Sequence, residues 1–406
     1  MESRRNFLKT SAMLGAGASL LSLSAFAAPA RAASATHSAS SAATSGSKAM
    51  QIINFTLLEE QARKKLSPAA YTFIARGAGD EWTLKENTRV FLDHPLQPHQ
   101  LSGVLEKDID LGLELLGVKL PFPILTAPMG IHGFFHPSAE AGSAGGAGQL
   151  GALYTASGAS NLSLEEIAKA SQGGPQWFQL YFNRDLGVTS ELLKRAKAAG
   201  YKAIVLTVDA MGPGSSDAWL EMGKPFPKSM LFGNHDPKRG GRGNFANQKS
   251  ELTLKDVEWV RSESGLPVVV KGLLNPGDAR DAVSAGAAAI QVSNHGARQF
   301  DGLPASLSAL PGVVRALDGK TPVIFDSGIR RGADVLRALA LGADAVALGR
   351  PLLYGLAVGG AKGVRLALEH VRDELRLAML FAGVSRLADI GPDNLFDREL
   401  RASVRN

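Results

Sequence analysis

The sequence predicts a (β/α)8 barrel with a long lid loop after its fourth strand, and three observations carry that prediction. Eight apolar runs of strand length recur between Phe122 and Gly349. Amphipathic stretches of helical period separate most of them, the alternation that builds a parallel sheet wrapped in helices. The span they occupy is close to the roughly 250 residues of such a barrel. The open, doubly wound sheet is the competing arrangement. It is disfavoured because no Gly-x-Gly-x-x-Gly follows the first strand.

The chain has 406 residues, and its N-terminus stands apart from this pattern. Ser3-Arg4-Arg5-Asn6-Phe7-Leu8-Lys9 resembles a twin-arginine export motif. Behind it come a weakly hydrophobic stretch, Ser11–Ala28, and Ala-x-Ala sites at Ala25–Ala27 and Ala30–Ala32. Gly15, Gly17 and several serines interrupt the stretch, which makes it a poor membrane span. Residues 1–32 are therefore expected to be a cleaved signal, with a periplasmic mature protein. Residues 33–50, dominated by Ser, Ala and Thr, read as a disordered spacer, and residues 51–406 as the barrel domain.

Composition narrows the function classes. Apolar content of 45% and charged content of 20% are those of a globular enzyme. The formal charge of +6 falls to +3 without the leader, which carries Arg4, Arg5, Lys9 and Arg31 against Glu2. No lysine-rich run interleaved with aromatics is present, so a nucleic-acid partner is not expected. The absence of cysteine excludes disulfides, thiol nucleophiles, iron–sulfur clusters and covalently attached c-type haem.

In chain order, helical spacing covers Leu57–Lys65, and Ser67-Pro68 starts a second short helix. Ala75 to Thr83 is a glycine-rich polar turn ending beyond Trp82. Strands are predicted at Phe122–Ala127, Gly151–Ser157, Gln176–Phe182 and Ala203–Asp209, then at Pro267–Gly272, Ala288–Ser293, Pro322–Ser327 and Ala345–Gly349. Helices are predicted at Leu164–Ser171, Thr189–Ala199, Leu254–Glu263, Pro276–Ala285, Ser306–Leu317 and Ala333–Leu341. Asn275-Pro276 supplies a cap followed by a first-turn proline. Between Asp209 and Thr253 no periodicity holds, and a long irregular connection on the catalytic face reads as a lid. Tyr354 to Ala382 reads as a closing helix.

Polar residues gather where the strands end, the face on which this fold assembles its sites. They are Ser157, Gln179 with Tyr181, Thr207 with Asp209, Lys271, His295 with Arg298, and Asp326 with Arg330. His295 can take a proton and Arg298, three residues on, can hold an anion. After the seventh and eighth strands, Asp326-Ser327-Gly328-Ile329-Arg330-Arg331-Gly332 and Leu348-Gly349-Arg350-Pro351 offer backbone N–H groups, guanidinium charge and a following helix N-terminus. These are the components of a phosphate site.

Ser293-Asn294-His295-Gly296-Ala297-Arg298-Gln299 resembles the motif of the FMN-dependent 2-hydroxy-acid oxidases and dehydrogenases, with the lactate oxidase branch nearest. The resemblance runs from about Asn54 to about Phe396. It takes in Gly-Ala-Gly-Asp-Glu-Trp-Thr (77–83), Trp-Phe-Gln-Leu-Tyr (177–181), Leu-Thr-Val-Asp (206–209), Val-Lys-Gly (270–272), Phe-Asp-Ser-Gly-Ile-Arg-Arg-Gly (325–332) and Ala-Leu-Gly-Arg-Pro (347–351). It implies an FMN cofactor and oxidation of a small-molecule 2-hydroxy acid to its 2-oxo product. By position, Pro128, Met129, Gly130, Ser157, Gln179 and Thr207 would hold the flavin, with Lys271 near its pyrimidine edge and Ser293 at the ribityl chain. Asp326, Gly328, Arg330, Gly349 and Arg350 would bind ribityl and phosphate. His295 would be the base, with Asp209 pairing its imidazolium. Arg298 would hold the substrate carboxylate, and Tyr181 would join it in the substrate site. The acceptor of electrons would be oxygen or a separate carrier, and such barrels often assemble as homotetramers.

Two positions depart from the family pattern, and both would touch substrate. A carboxylate-binding tyrosine falls on Phe73, and an arginine at the start of the lid falls on Ser216. Lys224, Lys228, Arg239 and Arg242 are candidates to replace that guanidinium. Gly130 and Ala159 stand where larger residues are usual, which predicts a substrate bulkier than lactate or glycolate; with the carboxylate clamp half missing, that substrate could also lack a free carboxylate. His132 is a further candidate to face the flavin, while His94, His99 and His136 read as turn residues. No spacing of histidines and acids suggests a metal site. Two alternatives stand beside the oxidase: a flavin-binding protein without hydroxy-acid turnover, and a phosphate-binding isomerase or lyase without flavin.

Overall fold

Each of the eight apolar runs forms a strand: β1 (Ile124–Thr126), β2 (Tyr154–Ser157), β3 (Gln176–Leu180), β4 (Ile204–Thr207), β5 (Val268–Leu273), β6 (Ala289–Val292), β7 (Val323–Asp326) and β8 (Ala345–Leu348). The computed structural model describes residues 50–396 apart from 213, 215, 228 and 229. The expected signal segment, the spacer up to residue 49, and Lys228 lie outside the described residues. All neighbouring strands pair in parallel in the order β1-β8-β7-β6-β5-β4-β3-β2. Between β1 and β2 the ring is drawn together by the Thr126 amide donating to Leu153 O (3.0 Å) and the Thr155 amide to Thr126 Oγ1 (2.8 Å).

Strand periodicity of two explains how one set of runs makes both a core and a site. Alternate residues Leu125, Leu153, Trp177, Val205, Val269, Ala289 and Ile324 form one buried cluster with Leu115 and Leu120. The latter two come from a short antiparallel hairpin, Leu113–Leu115 with Val118–Leu120, that plugs the end of the barrel where the strands begin. The same alternation, carried two residues further along each strand, brings Gln179, Thr207, Lys271, Gln291 and Asp326 to the opposite end. The intervening residues, Ile124, Phe178, Leu206, Val270, Ile290 and Phe325 among them, pack outward against the helices.

All six predicted helices form, with ends displaced by no more than three residues. Three features were not predicted. Trp82–Arg89 is a helix, the hairpin at 113–120 plugs the barrel, and Ala139–Gly148 is a helix built largely of Ala and Gly. That last helix has almost no apolar pattern because it packs backbone to backbone on the long closing helix Arg350–Ala382. A β-carbon on Gly146 would lie 2.5 Å from Ala361 O. The closing helix is broken by non-helical backbone at Gly359 and Gly360. The lid carries a short helix, Asp217–Glu221, and three 3-10 turns at Gly233–His235, Pro237–Arg239 and Phe245–Asn247. Among the described residues, no helix is long and apolar enough to cross a membrane.

Candidate active site

At the C-terminal ends of the strands a cavity of about 460 Å³ opens, within the size range of small-molecule and cofactor pockets. Of the predicted residues, Phe73, Pro128, Met129, Gly130, Tyr181, Lys271, His295, Arg298, Asp326, Gly328, Arg330, Gly349 and Arg350 line it. Ser157, Gln179, Thr207 and Ser293 are buried and are not part of its wall. Asp209 also stands behind the wall, where it serves His295.

His295 sits in a loop of three consecutive left-handed residues, His295, Gly296 and Ala297, with φ of 58°, 63° and 60°. Two of these are not glycine, so the turn carries backbone strain that its surroundings must hold. Asn87 and Asn294 brace it by exchanging side-chain amide hydrogen bonds, and the Ala78 amide donates to Ala297 O (2.9 Å). Asp301 closes the loop from the far side, accepting from the Trp82 and Thr83 amides at 3.1 and 2.8 Å. The glycine-rich turn at 75–83 thus belongs to the site as a brace. Its own residues hinted at a turn, but only the three-dimensional pairing shows what it supports.

Nδ1 of His295 lies 2.8 Å from Asp209 Oδ1, and Lys271 Nζ lies 3.9 Å from the same oxygen. Burial pushes the Asp209 carboxyl up, yet His295 and Lys271 outweigh it and leave the group below the usual carboxylate range. Burial pulls His295 below its ordinary value, against the opposing pull of Asp209. The imidazole is therefore neutral near pH 7, with Nδ1 committed to Asp209 and Nε2 left to act as a base.

The remaining polar groups fit FMN. Lys271 Nζ and Gln179 Nε2 are buried donors without a hydrogen-bond partner among the described residues, while Ser157 donates to the other end of the Gln179 amide (2.9 Å). Unpartnered buried donors are costly, and a heteroaromatic edge rich in acceptors would satisfy them. Gly349 faces the same cavity, and a β-carbon there would approach no protein atom closer than 3.7 Å. Room for a ligand, not packing, is what its missing side chain provides. Arg350 is pulled down to about 10, first by burial and then by the neighbouring Arg298, with Arg330 adding to it. Clustered guanidinium charge of this kind suits a phosphate.

Several expectations need correction. The helix N-terminus after β7 is already capped by the chain itself, because Asp334 accepts from the Arg330 and Arg331 amides and Glu374 from the Gly332 amide (all 2.9 Å). Arg350 donates to the carbonyls of Ile74, Gly296 and Arg76, so it ties the N-terminal segment to the catalytic loop as well as facing the cavity. His132 is buried away from the cavity, with Nδ1 2.8 Å from Ser143 Oγ. No described candidate replaces the missing lid guanidinium. Arg239 bonds Asn161 O and approaches Glu166, Arg242 pairs with Glu191, and Lys224 is not on the cavity wall.

What stands there instead is aromatic. The Arg298 guanidinium stacks over the Phe73 ring at 4.7 Å and donates to Phe73 O at 2.7 Å. Phe73 in turn is edged by Trp219 and Phe226 of the lid, at ring separations of 5.2 and 5.3 Å. Ser216 has become the cap of the lid helix, accepting from the Trp219 amide. Among the described residues no group of acids and histidines is arranged to hold a metal.

Residues 62–397 match the family model described as FMN-dependent dehydrogenase. The L-lactate oxidase of Streptococcus iniae is 41% identical over 351 residues, covering 86% of each chain. That of a Nostoc species is 43% identical over 353 residues, covering 83% of this chain and 96% of its own. Among solved structures, a mandelate oxidase variant with 2-hydroxy-phenylacetamide superposes with a TM-score of 0.78 at 37% identity, covering 85% of this chain and 98% of the other.

Proposed function

This chain is a member of the FMN-dependent dehydrogenase family, and from that premise we propose that it oxidises 2-hydroxy acids to 2-oxo acids with His295 as the base. The His295–Asp209 pair carries this reading. FMN, when bound, takes up the electron pair that leaves the substrate carbon. Backbone at Pro128–Gly130, the donors of Lys271 and Gln179, and the guanidinium groups of Arg330 and Arg350 would hold it. His295 receives the substrate proton at Nε2, and Asp209 stabilises the resulting imidazolium, a contribution of the order of 10²–10⁴ in rate for a positioned base.

Arg298 orients the substrate carboxylate. Among the described residues no lid cation joins it, because Phe73 offers a ring where a hydroxyl would be needed and Ser216 is a helix cap. One guanidinium gives a weaker and less directional grip than two. Esters and amides of 2-hydroxy acids are therefore tolerated beside the free acids, in keeping with the neutral 2-hydroxy-phenylacetamide present with the mandelate oxidase variant. Named oxidases among the relatives support oxygen as electron acceptor. Export by the twin-arginine route to the periplasm, supported by the motif at 3–9, and homotetrameric assembly belong to the same proposal. The family match and the fit to FMN set aside the isomerase or lyase without flavin.

Aerobic incubation of the purified yellow protein with a panel of 2-hydroxy acids and their methyl esters tests the reading. Stoichiometric 2-oxo product and hydrogen peroxide are expected. Bound FMN with no product from any member of the panel would favour the flavin-binding protein without turnover.

A further inference from the structure

The lid turns three phenylalanines toward the cavity. Phe226, Phe232 and Phe245 all line it, alongside His295 and Arg298. They reach the reacting groups by two aromatic arms. Phe232 stacks on Phe245 (4.7 Å, 21° between planes), and Phe245 meets the Tyr181 ring edge-on at 5.6 Å. Tyr181 lines the cavity with His295, so this arm ends on the wall that the base shares. Phe226 meets Phe73 edge-on at 5.3 Å, and Phe73 lies under the Arg298 guanidinium, so the second arm ends at the anion-holding group.

Phe226 is 43% exposed although it borders the cavity and meets the rings of Phe73, Phe134 and Trp219, so part of its apolar surface is open to a ligand. Small residues also contribute to the cavity wall. Gly130 and Ala159 pack so closely that a β-carbon on Gly130 would lie 2.8 Å from Ala159 O, and Ala210 and Gly214 line the lid side. No acid or base of the lid's described residues lines the cavity. Rings from the lid, with no charged lid side chain among the described residues on the wall, would receive an apolar group extending away from the carboxylate.

We propose that the lid phenylalanines form an aromatic collar that selects 2-hydroxy acids bearing an aryl side chain over those bearing a methyl group. The collar rests on the 2-hydroxy-acid reading for the identity of the acid and adds the identity of its side chain. Phe245 and Phe226 determine specificity by contact with that side chain.

Binding of 2-oxo products to the holoenzyme separates the two claims, because it needs no turnover. Phenylpyruvate and pyruvate are titrated against the oxidised protein and followed by the perturbation of the flavin absorbance, beside anaerobic flavin reduction by 3-phenyllactate and lactate. Phenylpyruvate is expected to bind at least about tenfold more tightly than pyruvate, the lower end of what a hydrophobic pocket discriminates. Phe245→Ala and Phe226→Ala are expected to shrink that ratio severalfold. Equal or tighter binding of pyruvate, or variants that weaken both ligands by the same factor, would overturn the collar. Absence of flavin reduction by either acid, with the phenylpyruvate preference intact, would overturn the oxidation reading and leave the collar standing.

Discussion

A β-carbon on Gly272 would lie 2.4 Å from Cγ of Asp209. The strand β5 slips register between Lys271 and Leu273, and Gly272 takes φ of 111°, so the chain there bends out of the way of the carboxylate that serves the base. Gly272→Ala should strain the backbone and displace Asp209, with a stability loss of roughly 1–3 kcal/mol. A fall in kcat larger than the change in KM is expected, read by steady-state kinetics beside thermal unfolding. Unaltered kcat in a folded variant would show that Asp209 does not need this clearance.

Asn87 and Asn294 hold each other by two amide hydrogen bonds of 3.0 and 2.7 Å, both residues being 2% exposed. Truncating Asn87 leaves the Asn294 amide with buried, unmade bonds, at about 1–3 kcal/mol. The left-handed catalytic turn then loses its brace. Asn87→Ala should lower kcat about tenfold with FMN still bound, by analogy with small misplacements of a reacting group. A loss of thermal stability with kcat untouched would reduce the pair to a packing role.

The pH dependence follows from the direction of the His295 shift. With His295 as the proposed base, the neutral imidazole is the active form, and its folded pKa lies below the ordinary value of about 6.5. kcat/KM should therefore be flat above that value and fall only as pH drops through the lower folded pKa. Asp209 raises that pKa, so Asp209→Asn should move the acid limb to still lower pH while reducing kcat. A limb that moves to higher pH in the variant would contradict this assignment of the pair.

The single-arginine grip predicts a gain of function. Phe73→Tyr combined with Ser216→Arg should supply a hydroxyl and a second guanidinium near Arg298. The preference for a free 2-hydroxy acid over its methyl ester should rise by about tenfold or more, the worth of one charge-assisted contact. An unchanged acid-to-ester ratio would mean that these two positions do not face the carboxylate.

Much of this was legible in the sequence, for physical reasons. A strand of a closed parallel barrel is apolar on both faces, so β1 to β8 read as uninterrupted runs. That Asp209, Lys271 and His295 come together was legible because each stands at or near the end of such a run. Long-range pairings were not. Asn87 lies 207 positions from Asn294, and nothing local marks either as a partner. The glycine-rich helix at 139–148 was hidden because close backbone packing replaces apolar pattern with small residues. Arg239 and Arg242 looked like replacements for the lid guanidinium because charge is visible in a sequence while direction is not. Their side chains turn to Glu166 and Glu191. The collar escaped notice for the same reason, three phenylalanines scattered through a loop without periodicity.

The measurement that bears most directly on His295 as the base is anaerobic bleaching of the bound flavin by a 2-hydroxy acid, followed in the native chain and in His295→Gln. The native chain should bleach to completion. The variant, folded and still yellow, should bleach slower by a factor of the order of 10²–10⁴. Equal rates in the two proteins, or a native chain that stays oxidised with every 2-hydroxy acid offered, would contradict the account.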